Sequence, residues 1–193
     1  MRLLVVDDEG ADLIRIARVT GLGRGVDASR RFDVEAVRRT LGVFQEFAAL
    51  CDTYGADRRR AVATSAARDA ENREEFLDQS EEVLGVRPEV ISGIEEAELA
   101  YAGAASGREG RLIVVDIGGG STEFVYWSDR VQAVSIDIGS VRLTDRLLPD
   151  RPASYDVVET AIEHVEGLFA EVDFPGGAAV IGVGGTWTSL AAI

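Results

Sequence analysis

The chain has 193 residues, nearly half of them apolar, which allows one large or two small domains with a real core. Its net charge of −14 sets most of the surface against phosphate, which excludes nucleic acid as a partner and demands local arginines or metal ions for any polyanionic substrate. One cysteine excludes disulfides and a cysteine metal site, and with no signal peptide or bilayer-length apolar run the expected setting is soluble, reducing and cytoplasmic, without a membrane partner.

Met1 to Val6 reads as a strand, Asp7-Asp8-Glu9-Gly10 as a turn, and Leu13 to Val19 as the hairpin partner. Gly21-Leu22-Gly23-Arg24-Gly25 is either a phosphate loop or an ordinary connection. Asp33 is an N-cap candidate for a helix running to about Tyr54, with Val34, Val37, Leu41, Phe44, Phe47 and Ala48 at helical spacing. A short strand over Arg60 to Thr64 leads through Ser65 into an expected helix from Ala66 to about Leu84. Arg68 in its first turn either meets an anion at the helix N-terminus or pairs with Asp69 or Glu71. Glu89-Val90-Ile91 is another strand, and Ser92-Gly93 opens a helix whose first turn holds Glu95 and Glu96. Acidic residues there are ordinary partners of the helix dipole, so Glu96 gains meaning only from its hinge position before the next unit.

That unit is Leu112 to Tyr126, LIVVDIGGGSTEFVY, a strand, turn and strand. Three glycines free to take positive φ can aim N–H groups at an anion, and Asp116 and Glu123 can bracket a divalent cation beside it; the alternative is a glycine-rich hairpin turn. Ser128-Asp129 turns the chain into a strand over Val131 to Asp137, giving an antiparallel meander of 112–116, 122–127 and 131–137. Gly139-Ser140-Val141-Arg142 starts a further helix. Val157 to Val172 is an amphipathic helix carrying the one histidine, His164, as a surface side chain. Ala178 to Val183 is an expected buried strand, followed by Gly184-Gly185-Thr186 and a helix from Trp187. Interleaved strands and helices make the chain α/β.

Five motifs in order, Ala63 to Asn72, Ser92 to Ala97, Asp116 to Glu123, Gly139 to Thr144 and Gly184 to Thr186, resemble those of the exopolyphosphatase/guanosine pentaphosphate phosphohydrolase family. The resemblance implies the actin-like, Hsp70-like ATPase fold with two ribonuclease-H-like lobes, here over 1–97 and 98–193. It implies Mg²⁺-dependent release of terminal phosphate from polyphosphate or guanosine pentaphosphate, and it admits a homodimer. By the same resemblance Glu96 is the general base, Asp116 and Glu123 hold Mg²⁺, and Arg68, Gly118, Gly119, Gly120, Ser121, Ser140, Arg142, Gly185 and Thr186 bind phosphate. Family members also carry a DxGSNS loop before the segment matching Met1 to Val5 and continue past the GGT motif. The expectation is therefore an incomplete fold, clipped at both ends. An inactive polyphosphate- or alarmone-binding fragment and a nucleotide-binding module of a related kinase or ATPase stay open as alternatives.

Overall fold

The computed structural model describes residues 1–128, 131–150, 152–170, 172–173 and 176–193. The chain divides into two compact units, Met1–Val90 and Ile91–Ile193. The division lies before the expected boundary at 97, because that position falls inside a helix, Gly93–Ala105, that packs as a whole on the sheet of the second unit.

In the first unit, β1 (Arg2–Val6) and β2 (Asp12–Ala17) form the expected antiparallel hairpin. A single turn, α1 (Val26–Ser29), follows the glycine-rich connection. Helix α2 (Val34–Thr53) starts where Asp33 accepts a hydrogen bond from the Ala36 N–H, as its capping residue type demands. The short strands β3 (Val62–Ala63) and β4 (Glu89–Val90) pair in parallel.

The single helix expected from Ala66 to Leu84 is two helices, α3 (Ser65–Asp69) and α4 (Arg73–Leu84). The cause is a contact remote in sequence. Asn72 uses its side-chain amide both ways on the Phe32 backbone, accepting from the N–H at 2.8 Å and donating to the carbonyl at 3.3 Å. The Glu71 N–H donates to the Arg30 carbonyl instead of a helical one, and Ala70 is extended. This clamp seats Phe32 edge-on against Phe76, 5.1 Å between ring centres, in a core with Leu22, Val26, Ala67 and Leu77.

In the second unit, α5 (Gly93–Ala105) is capped by Ser92, whose hydroxyl accepts from the Glu95 N–H. Strands β5 (Leu112–Ile117), β6 (Thr122–Trp127) and β7 (Val131–Ile136) form the expected antiparallel meander, and β8 (Ala179–Val183) joins β5 in parallel. The sheet order is β7-β6-β5-β8, so β8 lies at an edge, and Val180 is 61% exposed where a buried strand was expected. Helix α6 (Ser140–Leu147) follows β7, and α7 (Tyr155–Phe169) begins two residues before its expected start and ends earlier than Val172; His164 is exposed on it. The last helix is α8 (Gly185–Leu190). One face of the sheet packs Val114 and Val125 against Ala97 of α5, and the other packs Ile113, Val115 and Phe124 with Phe169 and Trp187. The expected turn at Asp129 lies outside the described residues. No described helix is long and apolar enough to cross a membrane.

Candidate active site

Strand register decides which carboxylates meet. Asp116 on β5 is paired directly with Glu123 on β6, and Glu123 is paired with Ser135 on β7. Directly opposed residues share a face and alternate residues share it too. The row Asp116–Glu123–Ser135 therefore lies on the face that carries Val114 and Val125, the face that α5 covers. Helix α5 brings Glu96 in its first turn to the end of that face.

Glu123 is the most constrained of these acids, at 1% exposure. Burial pushes its carboxyl up to about 7, and the charges of Glu96 and Asp116 push the same way. Hydrogen bonds from Ser121 and Ser135 oppose the rise; the Ser135 hydroxyl donates at 2.9 Å. Asp116 is held from its other side by Gly184. A Cβ there would lie 2.4 Å from the Asp116 Oδ1, and the residue sits at φ +93°, so glycine is required on two counts. Among the described residues no three His, Cys, Asp or Glu side chains converge as a ready-made metal cage. Mg²⁺ needs no such cage, since it takes one or two carboxylates and completes its shell with water and substrate oxygens. Asp116 and Glu123 fit that use, because they are paired carboxylates and a cation would offset both the cost of burying the Glu123 charge and the smaller repulsion from Asp116.

The Gly118–Ser121 turn joins β5 to β6, closed by the Gly118 N–H donating to the Ser121 carbonyl at 3.0 Å. Gly118 and Gly119 do not use the positive φ expected of them. They are needed for close approach: a Cβ would sit 3.2 Å from the Ser121 carbonyl oxygen at Gly118 and 3.3 Å from Val141 at Gly119. The turn is docked on the start of α6. Gly118 C=O accepts from Ser140 N–H, Gly119 C=O accepts from Val141 and Arg142 N–H, and Gly120 C=O accepts from Arg142 Nε at 2.6 Å. In a planar trans peptide the carbonyl of one residue and the N–H of the next point opposite ways. Three carbonyls turned toward α6 thus aim the N–H groups of Gly119, Gly120 and Ser121 away from it together. The Gly119 and Gly120 N–H groups meet no acceptor among the described residues. Successive amides aimed this way are able to receive an anion as a nest.

The other expected phosphate ligands divide. Ser121 is buried and its hydroxyl serves Glu123, leaving its N–H to the nest. Ser140 Oγ donates to the Gly118 carbonyl, Arg142 to the Gly120 carbonyl, and Thr186 Oγ1 to the Ile117 carbonyl at 3.0 Å. These three side chains build the turn and the end of β5. Gly185 begins α8 with open space where a Cβ would stand. Arg68 is half-buried on α3 in the first unit. Ser135, Gly139 and Gly184 were not picked out from sequence. Ser135 was within reach, since the meander register sets a polar residue opposite Glu123. Gly139 is needed because a Cβ there would lie 2.5 Å from the Gly119 carbonyl carbon.

A model of the Ppx/GppA phosphatase family matches residues 5–192. The chain belongs to that family. It is 41% identical to Exopolyphosphatase 2 of Mycobacterium tuberculosis (strain ATCC 25618 / H37Rv), across all of its own length and 67% of that protein's. It is 32% identical to the guanosine-5'-triphosphate,3'-diphosphate pyrophosphatase of Photobacterium profundum, over 92% of the chain and 37% of that protein. Of solved structures, an exopolyphosphatase-like protein matches with TM-score 0.88 and 44% identity, covering 97% of this chain and 62% of that one. A Ppx/GppA family member from Aquifex aeolicus matches with TM-score 0.74 and 34% identity, covering 99% and 64%. The chain thus spans about two thirds or less of the length of these relatives. The α/β class expected from the motifs is borne out, and the fold is that of these Ppx/GppA structures.

Proposed function

We propose that the chain carries the phosphate-cleaving centre of a Mg²⁺-dependent phosphohydrolase acting on polyphosphate or guanosine pentaphosphate. The observation that carries this reading is the row of Gly119, Gly120 and Ser121 N–H groups next in sequence to two paired carboxylates, the first two meeting no acceptor among the described residues. Phosphoryl transfer asks a protein mainly for positioning and charge neutralisation. The nest holds phosphate oxygens without spending a formal charge, so the net acidity of the chain is no obstacle. Asp116 and Glu123 would hold Mg²⁺, which when bound neutralises phosphate oxygens and lets an anionic chain approach. Ser121 and Ser135 orient the Glu123 carboxylate. Glu96, close enough to influence Glu123 by its charge, takes the proton from the attacking water. The relatives' names, exopolyphosphatase and guanosine pentaphosphate pyrophosphatase, support the substrate class.

The test is phosphate release by the whole chain from long-chain polyphosphate, from guanosine pentaphosphate and from ATP, each with Mg²⁺ and with EDTA. The expected outcome is Mg²⁺-dependent release from one of the first two and not from ATP. Equal release from ATP would point to a nucleotide-hydrolysing module instead. Tight binding of polyphosphate with no release under any condition would make the chain a binding protein.

A further inference from the structure

Of the three turn carbonyls that α6 holds, two are held by backbone N–H groups, which almost any sequence supplies. The third, of Gly120, is held by one side-chain atom, Arg142 Nε, at 2.6 Å. That peptide is the one whose other end is the Ser121 N–H, the last of the nest. Arg142 itself is 7% exposed. We infer that Arg142 is a positioning residue for the phosphate loop: it fixes the Gly120–Ser121 peptide so that its N–H faces the substrate, and it does not itself contact phosphate.

The inference rests on the phosphate-binding reading of the turn, and it reverses the role expected of an arginine in this motif. A cation on the carbonyl side also polarises the peptide, making the Ser121 N–H a stronger donor on the far side. The positive charge of Arg142 thus reaches the substrate through a peptide group. What matters first is a donor at the Nε position.

Side-chain topology makes this testable. Glutamine places its amide nitrogen the same number of bonds from Cα as arginine Nε, so Arg142→Gln keeps the donor and loses the charge. Lysine has a methylene at that point, so Arg142→Lys keeps the charge and loses the donor there. Binding of inorganic tripolyphosphate is measured by calorimetry for the parent, Arg142→Gln, Arg142→Lys and Arg142→Met. The parent is also titrated with tripolyphosphate while its ¹H–¹⁵N resonances are followed. Arg142→Gln is expected to bind within about threefold of the parent, and Arg142→Lys and Arg142→Met about tenfold or more weakly, the scale of one lost charge-assisted hydrogen bond. In the parent, the Gly119, Gly120 and Ser121 amides should shift most, and Arg142 Nε–H less than any of them.

If Arg142→Lys binds like the parent while Arg142→Gln is weakened, Arg142 acts by charge and the inference is wrong. It is equally wrong if the Arg142 Nε–H resonance moves further than the loop amides, a result available from the parent alone should the variants not fold. If tripolyphosphate binds and leaves all three loop amides unmoved, it is the phosphate-binding reading of the turn that fails.

Discussion

Adding one methyl group at Gly139 should displace the Gly118–Ser121 turn, and with it the proposed phosphate site, without touching a charge. The backbone there is extended, φ −144° and ψ 175°, which alanine adopts freely, so conformational strain plays no part. Space does. The new Cβ would stand 2.5 Å from the carbonyl carbon of Gly119, 2.6 Å from its oxygen and 2.7 Å from the Gly118 oxygen. Carbon atoms rest about 3.5–4.0 Å apart, so the turn must retreat from α6 by roughly 1 Å. All the atoms in the way are backbone, and no side chain can swing aside. The hydrogen bonds from Ser140, Val141 and Arg142 N–H and from Arg142 Nε, now 2.6–2.9 Å, would stretch beyond useful length. Overpacking of this kind costs about 1–3 kcal/mol, which lowers Tm by about 2–12 °C in a chain of this size. Affinity should suffer as well, because the three N–H groups lose their common aim; tripolyphosphate binding should weaken by about tenfold or more. Gly103→Ala is the control. Gly103 lies within α5 with nothing within 4 Å of a Cβ, and alanine there should stabilise by about 0.5–1 kcal/mol. Calorimetric Tm and tripolyphosphate affinity for both variants decide the matter. A Gly139→Ala protein that kept both at the level of the parent would refute the docking of the turn on α6 as the basis of the nest.

Two further outcomes concern the carboxylates. Folded Glu123 keeps its proton up to about pH 7, whereas an ordinary glutamate releases it near 4.5, so its contribution to stability is complete below about pH 4.5 and is lost as pH rises to 7. Glu123→Gln cannot titrate, so in EDTA its urea stability relative to the parent should climb over that window by roughly 3 kcal/mol and then level off; parallel profiles would show that Glu123 is not held neutral by the fold. Glu96→Gln should lower turnover by ~10²–10⁴-fold with little change in KM, while Glu95→Gln should turn over normally, since the backbone N–H that meets the Ser92 cap is unchanged by it; steady-state kinetics giving the opposite pair of results would move the base to Glu95.

Neighbouring residues decided most of the structure that was legible in the sequence. The β1–β2 hairpin, the Asp33 and Ser92 caps and the meander all arise from alternation, turn residues and short polar side chains a few positions apart. The break between α3 and α4 was hidden because Asn72 clamps Phe32, 40 residues away, and nothing in the apolar period of 66–84 announces it. The roles of Ser140 and Arg142 were hidden for a different reason. A helix start with a small residue and an arginine looks the same whether its N–H groups receive phosphate or the carbonyls of a turn, and only the sheet register brings Gly118–Gly120 beneath it. Gly139 and Gly184 were seen as motif letters; the need for each comes from a backbone or a carboxylate that arrives from elsewhere. Asp116 and Glu123 were legible as a pair because a hairpin turn of fixed length puts them opposite each other.

The parallel pairing of β5 with β8 gives the two halves of this centre different histories. The Glu123 half closes over short distances, with its partner Ser135 only 12 residues on. The Asp116 half is finished by β8 and the start of α8, as when Thr186 reaches back across 69 residues to Ile117. Long closures carry the larger entropic cost and form slowly, whereas a meander zips from turn to turn. During synthesis the loop, α6 and Glu123 can therefore be assembled while Asp116 still faces an empty edge. A chain interrupted before Gly184 would hold a finished Gly118–Ser121 turn beside an unfinished wall.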